Sequence, residues 1–207
     1  MLPLFFWLAL NISVKGIISI AMDNFRNVET YAVTLDSRSD GKREVIKYFY
    51  KTPGYVRMNF VEPHAGAVLL YDPVRKEARL QPIGALKSFV VTLSPDNRLI
   101  TSSKGHTIAE SDIGALLRNV EKLQAHGSIE VLAEEKSGER DTVKVKIIGA
   151  YGYSVAGTNA YILWLDKGSF LPVRVMAYDA KGSLTEDVLM NDLEINPTLP
   201  DNLFKLE

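Results

Sequence analysis

The chain has 207 residues, no cysteine and nearly balanced charge, with 24 Lys and Arg against 25 Asp and Glu. Apolar residues make up 46%, which suits one domain with a sizeable core and is too many for a disordered chain. The lack of cysteine excludes disulfides, thiol nucleophiles, thiolate metal sites and a lipidated N-terminal cysteine, and the mixed charge gives no basis for a nucleic-acid partner.

Leu2 to Leu10 is apolar throughout. That length fits the h-region of a signal peptide and is too short for a membrane-spanning helix. Small residues offer two cleavage positions, one after Ser19-Ile20-Ala21 and one after Val14-Lys15-Gly16. Val14, Ile17, Ile18, Ala21, Met22, Phe25 and Val28 recur at helical spacing. A cut after Ala21 would sever that amphipathic helix. Residues 1–16 therefore read as a signal peptide, and residues 17–207 as one domain that opens on a helix from about Ile17 to Val28. The expected location is the periplasm. The alternative is an uncleaved apolar segment that anchors the chain to the membrane.

Tyr31, Val33 and Leu35 alternate with Ala32, Thr34 and Asp36, and Ser39-Asp40-Gly41-Lys42 is a hairpin turn. The return strand, Val45 to Tyr50, is apolar on both faces and is expected to be covered on both. Thr52-Pro53-Gly54 turns the chain into a strand from Tyr55 to Val61. Its Val56, Met58 and Phe60 share one face, and Tyr55, Arg57 and Asn59 the other. A loop, Glu62 to Gly66, leads to a strand from Ala67 to Tyr71. Glu77 to Gln81 is a short, more charged strand suited to a sheet edge. Pro82 to Ser94 has no clean period and reads as a short helix or an irregular lid.

Ser111 or Asp112 is a good N-cap for a helix whose stripe is Ile113, Leu116, Leu117, Val120 and Leu123. Ser128 to Glu134 and Thr142 to Ile148 are two strands, and Gly149 to Asn159 is a loop. From Tyr161 to Ile195, three apolar-rich runs are separated by two short turns, each containing Gly, which is a three-stranded antiparallel meander. Pro172 near a strand start calls for an edge or a bulge. The tail from Leu199 to Phe204 is expected to pin the C-terminus back onto the sheet. No strand–helix–strand unit repeats, so the class is antiparallel α+β.

Chemistry is scarce. The chain has no Gly-x-Ser-x-Gly, Walker A, dinucleotide or His-Glu-x-x-His motif. His106 and Glu110 stand four apart, but Gly105 and Thr107 flank His106, and zinc takes three or four ligands. Glu62 and His64 flank Pro63 without a nucleophile, so they read as a structural loop. Neither enzymatic activity, a metal nor another cofactor is expected. Tyr48, Tyr50, Tyr151, Tyr153 and Trp164 belong either to a β-sheet core or to the wall or rim of a ligand cavity.

Several stretches carry a family resemblance. They are Tyr55-Val56-Arg57-Met58-Asn59-Phe60, Glu62-Pro63-His64-Ala65-Gly66, Leu70-Tyr71-Asp72-Pro73 and Leu93 to Ile100. Further on come Trp164-Leu165-Asp166, Leu171-Pro172, Asp179 to Gly182, and Leu199-Pro200 with Phe204. Their order and spacing resemble an uncharacterised branch of the LolA-like superfamily, the periplasmic lipoprotein-sorting carriers and their relatives. The resemblance implies a strongly curved antiparallel sheet forming a half-open barrel, with helices packed over the open side and acyl chains held between. On that reading Val33, Leu35, Ile46, Tyr48, Val56, Met58, Phe60, Leu70, Trp164 and Val175 line the lipid cavity. The implied partners are acyl chains of a lipoprotein or lipid and a protein of the inner or outer membrane, and the chain is expected to be a monomer. The alternative is an envelope sensor or protein-interaction module of the same fold that moves no cargo.

Overall fold

The computed structural model describes residues 16–84, 89–102, 105 and 107–206. The apolar run Leu2 to Leu10 and His106 lie outside the described residues.

A first helix, α1 (Ile17–Arg26), buries Ile17, Ile18 and Ala21. The chain then runs through β1 (Thr30–Ser39), β2 (Lys42–Lys51), β3 (Tyr55–Glu62), β4 (Val68–Asp72), β5 (Glu77–Gln81) and β6 (Val91–Leu93). A single 3-10 turn, Ile108–Glu110, leads into α2 (Ile113–Ala125). Five further strands follow: β7 (Gly127–Ser137), β8 (Arg140–Gly149), β9 (Ala160–Asp166), β10 (Pro172–Tyr178) and β11 (Leu184–Ile195).

All eleven strands form one sheet in the order β6-β5-β4-β3-β2-β1-β11-β10-β9-β8-β7. Each neighbouring pair is antiparallel. Two meanders, β1 to β6 and β7 to β11, are thus fused where β1 pairs β11, and α2 lies in the connection between them. The sheet stays open between β6 and β7. With α1 and α2 on one face, the sheet is the half-open antiparallel barrel that the motifs implied.

Local chemistry explains the turns and the curvature. Asp40 and Gly41 both take positive φ, 51° and 73°, as a two-residue hairpin turn requires, and the β1–β2 register is unbroken. Register shifts occur where β1 meets β11, β2 meets β3, and β10 meets both neighbours. Such bulges bend a strand and increase its twist. One of them lies at Pro172, where the missing N–H makes a regular ladder costly. The tail returns as expected: Arg57 Nη1 donates to the Leu203 carbonyl at 2.6 Å, and Phe204 packs on Tyr55.

Three expectations need correction. The strand β2 is fully covered on one face only, because Val45 and Phe49 are half-buried and Lys47 is exposed on the other. The edge strand is β6, not β5. A three-residue ladder from Ala78 to Leu80 pairs β5 with Val91–Leu93, so part of the stretch read as helix or lid is strand. It was hidden because three residues are too few to show a period. The first helix ends at Arg26, with Val28 buried just beyond it.

Candidate functional site

The concave face of the sheet is treated differently along its length. Over β8 and β9 the apolar stripe of α2 sits directly on the strands. Val120 and Leu123 pack with Val145, Ile147, Leu163 and Leu165, and all six are 0% exposed. Over β1 to β4 the cover is the 3-10 turn and the first turn of α2, and it is held off the sheet. The space left is an apolar-lined cavity of about 520 Å³, within the usual range of ligand pockets at ~300–1,000 Å³.

Strand alternation builds the floor. β1 contributes Tyr31, Val33 and Leu35, β2 contributes Ile46 and Tyr48, and β3 contributes Met58 and Phe60. Leu69 and Leu80 extend it toward one edge. On the other side it continues through Val188 and Met190 of β11, Val175 and Ala177 of β10, and Tyr161 of β9. The roof comes from Leu99, Ile100, Ile108, Ile113 and Leu116.

Tyrosine hydroxyls tie the roof to the floor. The Ser111 hydroxyl donates to the Ile108 carbonyl at 2.8 Å, so the Tyr48 hydroxyl, 3.0 Å from Ser111 Oγ, is the donor in that pair. The Ile113 amide donates to the Tyr31 hydroxyl at 3.3 Å. Asp112 caps α2 by accepting from the Ala115 amide at 2.9 Å. Below them Tyr31 stacks on Tyr48 and Tyr50, at centroid distances of 5.6 and 4.9 Å. Burial pushes the Tyr31 and Tyr48 phenols well above their ordinary range, so both stay neutral near neutral pH. Their hydroxyls serve as struts between floor and roof.

One wall of the cavity is polar. Ser37 and Glu44 are register partners at the ends of β1 and β2, and the Ser37 hydroxyl donates to Glu186 of β11 at 3.2 Å. His64, whose ring contacts Phe60, lines the same cavity. Burial raises the Glu44 carboxyl above its ordinary value, with the His64 charge opposing and the Glu186 charge adding to the rise.

Of the ten residues that the resemblance implied for a lipid cavity, seven border the apolar cavity described above: Val33, Leu35, Ile46, Tyr48, Met58, Phe60 and Val175. Three do not. Val56 shares the face of Met58 but lies one step further along β3, buried in solid core with Tyr48 and Tyr50. Leu70 is opposite Arg57 and Arg79 in the ladders and so faces outward, while its neighbour Leu69 faces the cavity. Trp164 is also on the convex face. Its Nε1 donates to Glu135 at 2.6 Å, and Lys144 and Arg174 lie over its ring. Tyr50 is core and Tyr151 is fully exposed, while Tyr153 packs on His126 at the end of α2. Val188 and Met190 were legible by alternation in β11 but not singled out. Ile113 and Leu116 of the roof lie on the α2 stripe, but Leu99, Ile100 and Ile108 carry no comparable signal, because nothing local fixes the height of a loop above a sheet.

The motif residues Glu62 and His64 are not joined in one site. Glu62 pairs with Arg43 at 2.7 Å on the exposed side. Among the described residues no group of three or more His, Cys, Asp or Glu is arranged to hold a metal ion. No helix among them is long and apolar enough to cross a membrane.

Solved structures share this architecture at low sequence identity. An uncharacterized conserved protein of Thermus thermophilus superposes with a TM-score of 0.57 at 13% identity, over 93% of each chain. The lipoprotein LppX of Mycobacterium tuberculosis gives 0.57 at 11% identity, over 91% of this chain and 98% of its own. MucB of Pseudomonas aeruginosa, solved in complex with MucA, gives 0.56 at 12% identity, over 94% of this chain and 61% of the other. At these identities the likeness is one of fold. No curated protein matches the sequence. A family model covers residues 30–207, nearly the whole described domain, and on that match the chain belongs to the DUF1571 family, described as proteins of unknown function.

Proposed function

We propose that this protein is a non-enzymatic carrier of the cell envelope that shelters acyl chains of a lipoprotein or lipid in the concave cavity. The observation that carries the reading is the cavity itself: apolar floor and roof side chains enclose about 520 Å³ beneath a roof tied down by hydrogen bonds. Moving a chain from water into such a space gains ~0.8 kcal/mol per buried CH₂. Several methylenes would hold cargo tightly, so release calls for a membrane or a partner protein. The fold-level likeness to a lipoprotein, LppX, is in keeping with an envelope location. On this reading residues 1–16 are a cleaved signal peptide, and protein recovered from the periplasm has an intact mass lacking them.

The test is extraction of lipid from protein purified out of its own compartment, with mass spectrometry of the extract. Acyl lipid in near-stoichiometric amount is expected. Lipid-free protein that also takes up no apolar probe in vitro would remove the carrier reading. A second reading is favoured by one finding, the likeness to MucB, which is solved bound to MucA. It is an envelope sensor or interaction module of the same fold that binds a partner protein and moves no cargo. A single protein co-purifying without lipid would select it.

A further inference from the structure

The chain as a whole is almost neutral, yet charge is segregated at the cavity. Four carboxylate residues line it, Glu44, Glu110, Asp112 and Glu186, and among the described residues no Lys or Arg does. Among the described lining residues His64 is the one cationisable group. Asp112 is committed to capping α2. Glu44 and Glu186 are different, for they stand on β2 and β11, the two strands that flank β1 on either side of Ser37, where the apolar floor gives way to the polar wall. An acyl chain laid on Leu35, Ile46 and Met190 would bring its polar end to them.

We propose, on the carrier reading above, that the cavity selects its ligand by head group: an amphiphile whose polar end is uncharged or cationic and donates hydrogen bonds, not one ending in a carboxylate, sulfate or phosphate. A carboxylate is an acceptor when ionised, so Glu44 and Glu186 present acceptors to the cavity, and an N–H or O–H at the end of the chain satisfies them. An anionic end would meet like charge in a partly desolvated place, which is where such repulsion is strongest. Burial is the largest cause of the raised Glu44 carboxyl and the Glu186 charge a smaller one, in keeping with a partly desolvated wall. An amide-linked chain is uncharged next to the hydrocarbon and offers an N–H, so it meets the same requirement, whereas an ester-linked one needs a hydroxyl elsewhere in its head group.

Dodecylammonium, dodecyl maltoside, dodecanoate and dodecyl sulfate share one chain length and differ in the head. Each is titrated below its micelle concentration against a neutral fluorescent probe seated in the cavity. The ammonium and the maltoside are expected to compete at least ~10-fold more strongly than the two anions, a margin within the cost of juxtaposed like charges. Glu44→Gln with Glu186→Gln should narrow that margin severalfold by admitting the anions. Glu44→Gln alone keeps the Ser37–Glu186 bond and should narrow it in part, so the test survives if the double variant folds poorly. Anions that bind as well as the neutral head, or a preference unchanged in both variants, would overturn the proposal while leaving the carrier reading intact. Failure of the neutral probe and of all four chains to bind would overturn both.

Discussion

The two halves of the concave face are built from the same kinds of residue and end up solid in one place and hollow in another. Val145, Ile147, Leu163 and Leu165 on β8 and β9 alternate inward as Val33, Ile46 and Met58 do on β1 to β3. What differs is the cover. The C-terminal half of α2 lays Val120 and Leu123 into the first set, with Ile17 and Ile18 of α1 beside them. The second set faces a 3-10 turn and a helix N-terminus that are propped up by Tyr31 and Tyr48. A helix brings a dense stripe of apolar side chains to a sheet, and a loop brings few. A cavity on a sheet is therefore a property of its roof as much as of its floor.

The largest expected break in this comparison is truncation in the solid half. Leu163→Ala should cost about 2–5 kcal/mol in urea unfolding, as core truncations do, and leave probe affinity little changed. The same measurement on the hollow half should show a smaller loss, because the floor there already faces space. Filling that space is the converse experiment. Met58→Trp should weaken a neutral lipophilic probe about tenfold, or ~1.4 kcal/mol, and cost less stability than the ~1–3 kcal/mol of overpacking a solid core. Strong destabilisation by Met58→Trp, in a protein that binds no probe, would mean the floor is packed after all.

The props come next in size. Asp112→Ala removes the cap of α2 and should cost about 1 kcal/mol, with Tyr48→Phe removing a further ~0.5–1.5 kcal/mol through the lost bond to Ser111. Both should loosen the roof, so hydrogen exchange near Ile113 to Leu117 should rise while exchange in β8 and β9 stays slow. The smallest effect on binding belongs to the convex face. Arg57→Ala frees the tail at Leu203 but should leave probe affinity unchanged, which a titration beside that of Met58→Trp will show.

Folding elements were legible wherever the pattern was long enough. The Asp40-Gly41 hairpin, the C-terminal meander and the α2 stripe follow from turn chemistry and period alone, whereas Asp112 is told from Ser111 as the cap only by its bond to the Ala115 amide. The alternation of Val56, Met58 and Phe60 told which residues share a face. It did not tell where on that face the cover lifts off, so Val56 and Met58 read alike although one is core and the other cavity wall. Leu70 and Trp164 read as inward because they are large and apolar. Their ladders put them outside, where Trp164 is buried beneath the charged side chains of Lys144 and Arg174.

What the sequence by itself determined is local: periodicity sets strand and helix faces, and Gly, Pro and Asp set turns and caps, because these depend on residues a few positions apart. What only the tertiary structure decided is the pairing of β1 with β11, the height of the 3-10 turn and the first turn of α2 above the sheet, and the meeting of Ser37, Glu44 and Glu186 at one wall. Those depend on contacts between residues far apart in the chain, 63 positions between Tyr48 and Ser111 and 149 between Ser37 and Glu186. Such contacts form only when the whole sheet closes around its helices, and no local pattern encodes the distance that remains between them.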